Sequence, residues 1–133
     1  MSRFCLDTSA YSQFMRGVPE VVRIVDRAEW IGMPAVTLGE IRTGFLLGAR
    51  RVANESTLLD FLAHPIVEEV PVDGEVSLHF AEMVVDLRRA GTPLPTNDVW
   101  IAAASARAGA LVLAYDGNFR SITRVGSLIL SHP

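Results

Sequence analysis

The sequence predicts an α/β fold, a central parallel β-sheet flanked by helices on both faces. Three observations carry this expectation. Short apolar runs alternate with longer stretches of helical periodicity. Leu111–Ala114 is apolar at every position, as a strand covered on both faces requires. Glycine and proline fall between these segments, with no internal repeat, low-complexity tract or linker, so residues 1–133 read as a single domain.

Arg3–Leu6 reads as a short buried strand ending at Asp7. Residues 8–16 follow as a helix, stopped by Gly17 and Pro19. Residues 20–27 form a second helix, with Val21, Ile24, Val25 and Ala28 on one stripe. Residues 31–36 form a second strand, whose pairing Pro34 limits. Thr37 opens a helix over 37–50, with Leu38, Ile41 and Phe45 on its apolar face. Residues 54–63 form a helix ended by Pro65, and residues 66–70 the third strand. Asp73 caps a long helix reaching Ala90, with Val76, Phe80, Met83, Val84 and Leu87 inward and Gly91 as its stop. A loop over 92–97 holds Pro93 and Pro95. The alanine-rich helix 98–108 packs closely because its side chains are small, and it leads into Leu111–Ala114. An Asp116-Gly117 turn follows, and residues 127–130 are a last short strand.

Composition narrows the chemistry. All twelve basic residues are arginines, which removes Walker-type phosphate binding, Schiff-base chemistry and Ser–Lys dyads, and weighs against a receiver domain with an active-site lysine. The single cysteine, Cys5, excludes an internal disulfide and makes a reducing cytoplasm the expected compartment. Asp7 interrupts any apolar signal-peptide region, and no apolar run approaches the ~18 residues of a membrane span, so no membrane association is expected. The mean hydropathy of +0.30 then points to a buried sheet, an apolar partner surface, or both. Net charge is −3, so nucleic-acid binding needs local arginines or metal ions.

In open α/β sheets, ligands bind beyond the carboxyl ends of the strands. Four acids fall at those junctions: Asp7 after the first strand, Glu40 in the helix after the second, Asp98 at the start of the helix before the fourth, and Asp116 after the fourth. Each has a local explanation. Asp7 caps a helix, Thr37-Leu38-Gly39-Glu40 fits a capping box, Asp98 favours a helix N-terminus and Asp116-Gly117 is an ordinary turn. Together they repel, each close pair by roughly 1–4 kcal/mol at effective dielectrics of 80 to 20. Ser, Thr or Asn would cap without that cost. A divalent cation accounts for all four, and oxygen ligands without His or Cys suit Mg²⁺ or Mn²⁺ rather than zinc. His64, His79 and His132 have no metal-ligand spacing and read as structural or solvated. Setting the four aside from the fifteen acids leaves eleven against twelve arginines, so charge does not forbid a polyanionic substrate.

Four motifs then bear a resemblance: Phe4-Cys5-Leu6-Asp7-Thr8-Ser9, Glu40-Ile41-Arg42-Thr43-Gly44, Asn97-Asp98-Val99-Trp100-Ile101-Ala102-Ala103-Ala104, and Leu111-Val112-Leu113-Ala114-Tyr115-Asp116-Gly117-Asn118-Phe119. In order and spacing they span nearly the whole chain, which resembles the PIN-domain ribonucleases and, among them, the VapC toxins of VapBC toxin–antitoxin pairs. The resemblance implies a PIN-like fold and an Mg²⁺- or Mn²⁺-dependent endoribonuclease acting on an RNA substrate. It also implies a homodimer and inhibition by a small VapB-like antitoxin covering the site. Asp7, Glu40, Asp98 and Asp116 become the catalytic acids, with Asp7, Asp98 and Asp116 as metal ligands and Ser9 supporting the first acid or a water. Two positions depart from the family pattern. Ala114 stands where Thr or Ser is frequent, and Asn118 where a further acid is common; the Asn118 oxygen can still support the site by ligating a metal or orienting water, but it removes a charge from any second metal site.

Arg42, Arg50 and Arg51 are candidate RNA contacts, although arginines near helix ends also simply favour the helix dipole. Trp30 and Trp100 read as core or interface, and Tyr11 and Phe14 as core or partner surface. Two other readings compete with the nuclease toxin. One is a catalytically weak PIN-like module that binds RNA or protein, which Ala114 and Asn118 favour. The other is a metal-dependent DNA nuclease of similar fold, for which 133 residues leave little room.

Overall fold

A computed structural model describes residues 2–132 of the chain. The elements run β1 (Arg3–Leu6), α1 (Thr8–Met15), α2 (Pro19–Arg27), β2 (Trp30–Pro34), α3 (Ala35–Leu47), α4 (Arg51–Leu62), β3 (Val67–Val70), α5 (Gly74–Ala90), α6 (Thr96–Ala108), β4 (Leu111–Ala114) and β5 (Ser127–Ile129), with a 3₁₀ turn over Gly117–Ser121. All five strands are parallel, in the order β3-β2-β1-β4-β5.

Strand alternation divides the core into two halves. Phe4 and Leu6 of β1 and Leu113 of β4 face α1–α4, where Tyr11, Val21, Ile41 and Leu58 are buried. Cys5, Val112 and Ala114 face α5 and α6, where Val76, Met83, Leu87 and Ala102–Ala104 close the other side. The predicted sandwich is therefore observed. The small side chains of α6 let it lie close on β1, β2 and β4.

The boundaries differ in instructive places. Proline at the end of β2 lets α3 begin at Ala35, because a missing N–H costs nothing at a helix entry. Thr37 thus lies inside the helix rather than at its cap, and its hydroxyl donates to the Leu6 carbonyl at 2.9 Å in the core. The expected capping box is not formed. In the same way Pro95 precedes α6, which starts at Thr96, so Asp98 sits in its first turn instead of opening it. Helix α4 starts at Arg51, before the expected position 54. The caps at Asp7, Asp73 and Gly91 form as anticipated; Asp73 accepts from the Val76 N–H at 2.9 Å and Gly91 takes a positive φ of 70°.

The aromatic residues are mostly internal braces. Trp100 stacks on Phe80 at 3.7 Å between ring centroids, joining α6 to α5. The Arg3 guanidinium lies 4.3 Å from the Trp30 ring centroid and donates to the Ala108 carbonyl at 2.9 Å. Buried Tyr11 and half-buried Phe14 both pack on Phe61 of α4, Phe14 from the edge of the core. Among the described residues, no helix is long and apolar enough to cross a membrane.

Gly32 sits beneath Trp30, where an added Cβ would lie 2.5 Å from the indole and 2.7 Å from Cys5 Sγ. Gly32→Ala is expected to destabilise the fold by about 2 kcal/mol through overpacking. Urea unfolding of the two proteins measures it, and an unchanged midpoint contradicts this packing.

Candidate active site

The sheet order creates one crevice. From β1 the chain winds outward to β2 and β3, then crosses through α5 and α6 to place β4 on the opposite side of β1. The carboxyl ends of β1 and β4 are therefore a topological switch point, where the flanking connections part and leave room for a ligand. Asp7 follows β1 directly and Asp116 follows β4 after Tyr115. Asp98 comes from the first turn of α6, and Glu40 from the second turn of α3.

Asp7 lies deepest, with 6% of its surface exposed. Its Oδ1 accepts from the Ala10 N–H at 2.8 Å, so the site acid is also the cap of α1. The Ser9 hydroxyl contacts both carboxylate oxygens, at 2.7 and 2.9 Å. Ser9 Oγ in turn accepts from the Tyr115 N–H at 3.0 Å, which leaves its own proton for Asp7. Burial pushes the Asp7 carboxyl up to about 6; the bonds from Ala10 and Ser9 oppose the shift, and the negative charges of Asp98 and Asp116 add to it. Asp98 is also held above the usual carboxylate range, first by burial, then by the charges of Asp116 and Glu40, while the neighbouring Asn118 amide opposes them. The electrostatics thus couple all four acids.

Glu40 is half-buried at the edge of the crevice. Its Oε1 accepts from the Thr8 hydroxyl at 2.8 Å and its Oε2 from the Asn97 amide at 3.3 Å. Asp116 lies at the exposed rim, where its carboxylate turns back on its own 3₁₀ turn and accepts from the Asn118 N–H at 2.8 Å and the Asn118 amide at 3.4 Å. The expected metal ligands Asp7, Asp98 and Asp116 therefore face one crevice without closing into a ready-made cage. Among the described residues, no three His, Cys, Asp or Glu side chains stand close enough to hold one ion together. Asp7 and Asp116 are each held by a local backbone N–H, from Ala10 and Asn118 respectively. Thr8 and Asn97 were not among the expected site residues, although each adjoins a predicted acid and carries a donor.

Among the described residues, the ion pairs involve none of the four acids. Arg42 is committed elsewhere: Nε and Nη2 grip the Glu55 carboxylate at 3.0 and 2.8 Å, tying α3 to α4. In this structure Arg42, a candidate RNA contact, is engaged by Glu55. Arg50 and Arg51 are exposed at the α3–α4 turn. The histidines stay out of the quartet; His64 accepts weakly from the Ile66 N–H and His132 stacks on Tyr115. A groove between α1, α3 and α4 opens beside Glu40, lined by Thr8, Tyr11, Ser12, Gly44 and Asn54.

The sequence and fold are shared with known proteins. The PIN domain family matches residues 4–125. The chain belongs to the PIN-domain family. It is 34% identical to ribonuclease VapC4 of Mycobacterium tuberculosis over 97 residues, covering 73% of this chain and 74% of that protein. It is 29% identical to ribonuclease VapC5 of the same organism over 125 residues, covering 92% and 90%. The fold superposes on the VapBC2 structure from Rickettsia felis, solved with a promoter DNA fragment, with a TM-score of 0.84 at 17% identity over 97% and 99% of the chains. The matched family region contains all four acids of this PIN domain, and the VapC relatives place it among ribonuclease toxins.

The donors fit a hard divalent cation. They are all oxygens, the neighbouring negative charges help hold the Asp7 and Asp98 carboxyls up, and among the described residues the ion pairs of the fold leave the four acids uncompensated. Burial of Asp7 has a thermodynamic sign. Unfolded, its carboxyl ionises near pH 4; folded, it holds its proton to about pH 6. The native state binds more protons between those values, so stability falls as pH rises through that window and stays lower above it. A displacement of that size corresponds to on the order of 3 kcal/mol. Asp7→Asn keeps the cap acceptor without the charge. It is expected to be more stable than wild type in EDTA at pH 8, with the difference vanishing near pH 4, as urea unfolding at both pH values will measure.

Proposed function

We propose that this chain is a divalent-metal-dependent endoribonuclease toxin, hydrolysing RNA phosphodiester bonds at the β1/β4 crevice and neutralised by a VapB-like antitoxin. The observation that carries this reading is the convergence of Asp7, Glu40, Asp98 and Asp116 on one crevice, where the Asp7 and Asp98 carboxyls are held up and, among the described residues, no ion pair meets the four acids. Asp7, Asp98 and Asp116 would hold the Mg²⁺ or Mn²⁺. Such an ion supplies Lewis-acid polarisation of the phosphodiester and activates water for attack.

The protein's own groups do the rest. Asp7 is fixed by Ala10 and Ser9 before any ligand arrives, so its carboxylate needs little reorganisation. Glu40, anchored at both oxygens, is placed to orient the attacking water. Asn118 contributes a neutral oxygen and amide at the rim, which favours one strongly bound ion over two. Exposed Arg50 and Arg51 are candidates for phosphate positioning from the α3–α4 turn.

A partner explains the apolar surface. Leu46, Leu47, Val52 and Leu59 are exposed along α3 and α4, with Leu47 at 85%. Similar structures include VapBC complexes from Rickettsia felis and Haemophilus influenzae, and we assign this chain the same kind of antitoxin and a homodimeric toxin. A second reading, a PIN-like binding module with weak catalysis, draws on Ala114 and Asn118, which stand where a hydroxyl and a further acid are common in the family.

The deciding experiment is cleavage of a folded RNA pool by antitoxin-free protein with Mn²⁺, with Mg²⁺ and with EDTA. Cleavage is expected only with metal, and Asp98→Asn is expected to lower it by about 100-fold or more. Metal-independent cleavage, or full activity of Asp98→Asn, overturns the assignment. RNA binding without turnover selects the binding module.

A further inference from the structure

Two side chains outside the acidic quartet hold Glu40, and each is the chain neighbour of another acid. Thr8 Oγ1 donates to Glu40 Oε1 at 2.8 Å, and Thr8 follows Asp7 as the first residue of α1. Asn97 Nδ2 donates to Glu40 Oε2 at 3.3 Å, and Asn97 precedes Asp98 in the first turn of α6. We propose that Thr8 and Asn97 are positioning residues that fix the Glu40 carboxylate relative to Asp7 and Asp98. The proposal rests on the nuclease reading above.

Glu40 needs such a restraint. Its side chain has three rotatable bonds, and confining them costs rotamer entropy. The nearby Asp98 charge also repels it. A donor on each oxygen opposes both effects, and hydrogen bonds to a carboxylate are stronger than neutral ones. Each oxygen keeps a second lone pair with which to orient water.

The position of Thr8 makes its proton available. The hydroxyls of Thr43 and Thr57, inside their helices, return to the carbonyls of Gly39 and Ala53 four residues back. Thr8 has no preceding turn of α1 to bond, and its hydroxyl reaches across to α3 instead. The clamp also crosses the sheet. Helices α1 and α3 pack on one face and α6 on the other, so the Asn97 bond to Glu40 links the two faces at this edge of the fold.

The test uses Thr8→Val, which keeps the shape and removes the donor, Thr8→Ser, which restores it, and Asn97→Ala. Each is read in two ways: Mn²⁺ affinity of the RNA-free protein by calorimetry, and kcat and KM on RNA. Glu40 is no assigned ligand, but its charge acts on Asp98, so Thr8→Val is expected to weaken Mn²⁺ binding by about threefold and to lower kcat by about tenfold, with KM unchanged. Thr8→Ser recovers most of both, and Asn97→Ala shows a smaller loss of the same kind. In a Glu40→Gln background, Thr8→Val adds no further loss. Wild-type behaviour of Thr8→Val, equal defects in the Val and Ser variants, or full additivity with Glu40→Gln overturns the clamp. A wild type that binds Mn²⁺ but cleaves no RNA overturns the nuclease reading alone, and the Mn²⁺ series then decides the clamp. A wild type that does neither overturns both.

Discussion

Asp7 is a carboxylate taken almost wholly out of water at the end of the central strand, and much of this edge of the molecule is arranged around it. Burying a charge without partners is costly. Here the Ala10 N–H and the Ser9 hydroxyl meet it, while Asp98 and Asp116 add like charge. The same carboxylate caps α1, so the helix begins where the site begins. The cap and the site cannot be separated, because one oxygen set serves both.

The sheet makes that burial useful. Placing β1 between β2 and β4 brings a second strand end, with Asp116, beside the first, and lets α6 lower Asp98 into the gap. The two packed faces hold the strands in register, so the positions of the acids follow from core packing rather than from contacts among themselves. Their charges oppose the arrangement, and the hydrophobic core outweighs them. This is strain of an electrostatic kind, and under the proposed function a cation would relieve it.

The arginines divide by role. Arg3, Arg42 and Arg124 are structural clasps: Arg3 on Trp30 and the Ala108 carbonyl, Arg42 on Glu55, and Arg124 on Glu82 and Asp86 of α5. None of them neutralises the crevice. Among the described residues, the ion pairs of this twelve-arginine chain leave the acidic crevice without a cationic partner.

The sequence by itself determined the class of fold and the four acids. Strand and helix periodicities are local, and a side chain just past an apolar run must lie at a strand's carboxyl end in a parallel sheet. Motif spacing likewise pointed to the PIN-domain family. Only the tertiary structure decided the rest. Thr37 looked like a cap because its neighbours in the chain fit one, yet its hydroxyl bonds to Leu6, thirty-one residues away. Arg42 looked available for RNA until α4 brought Glu55 against it. Thr8 and Asn97 looked like bystanders until α3 delivered Glu40 between them. In each case the deciding partner is distant in sequence. Hydrogen-bond partners are chosen by distance in space, and local pattern carries no record of which distant segment arrives.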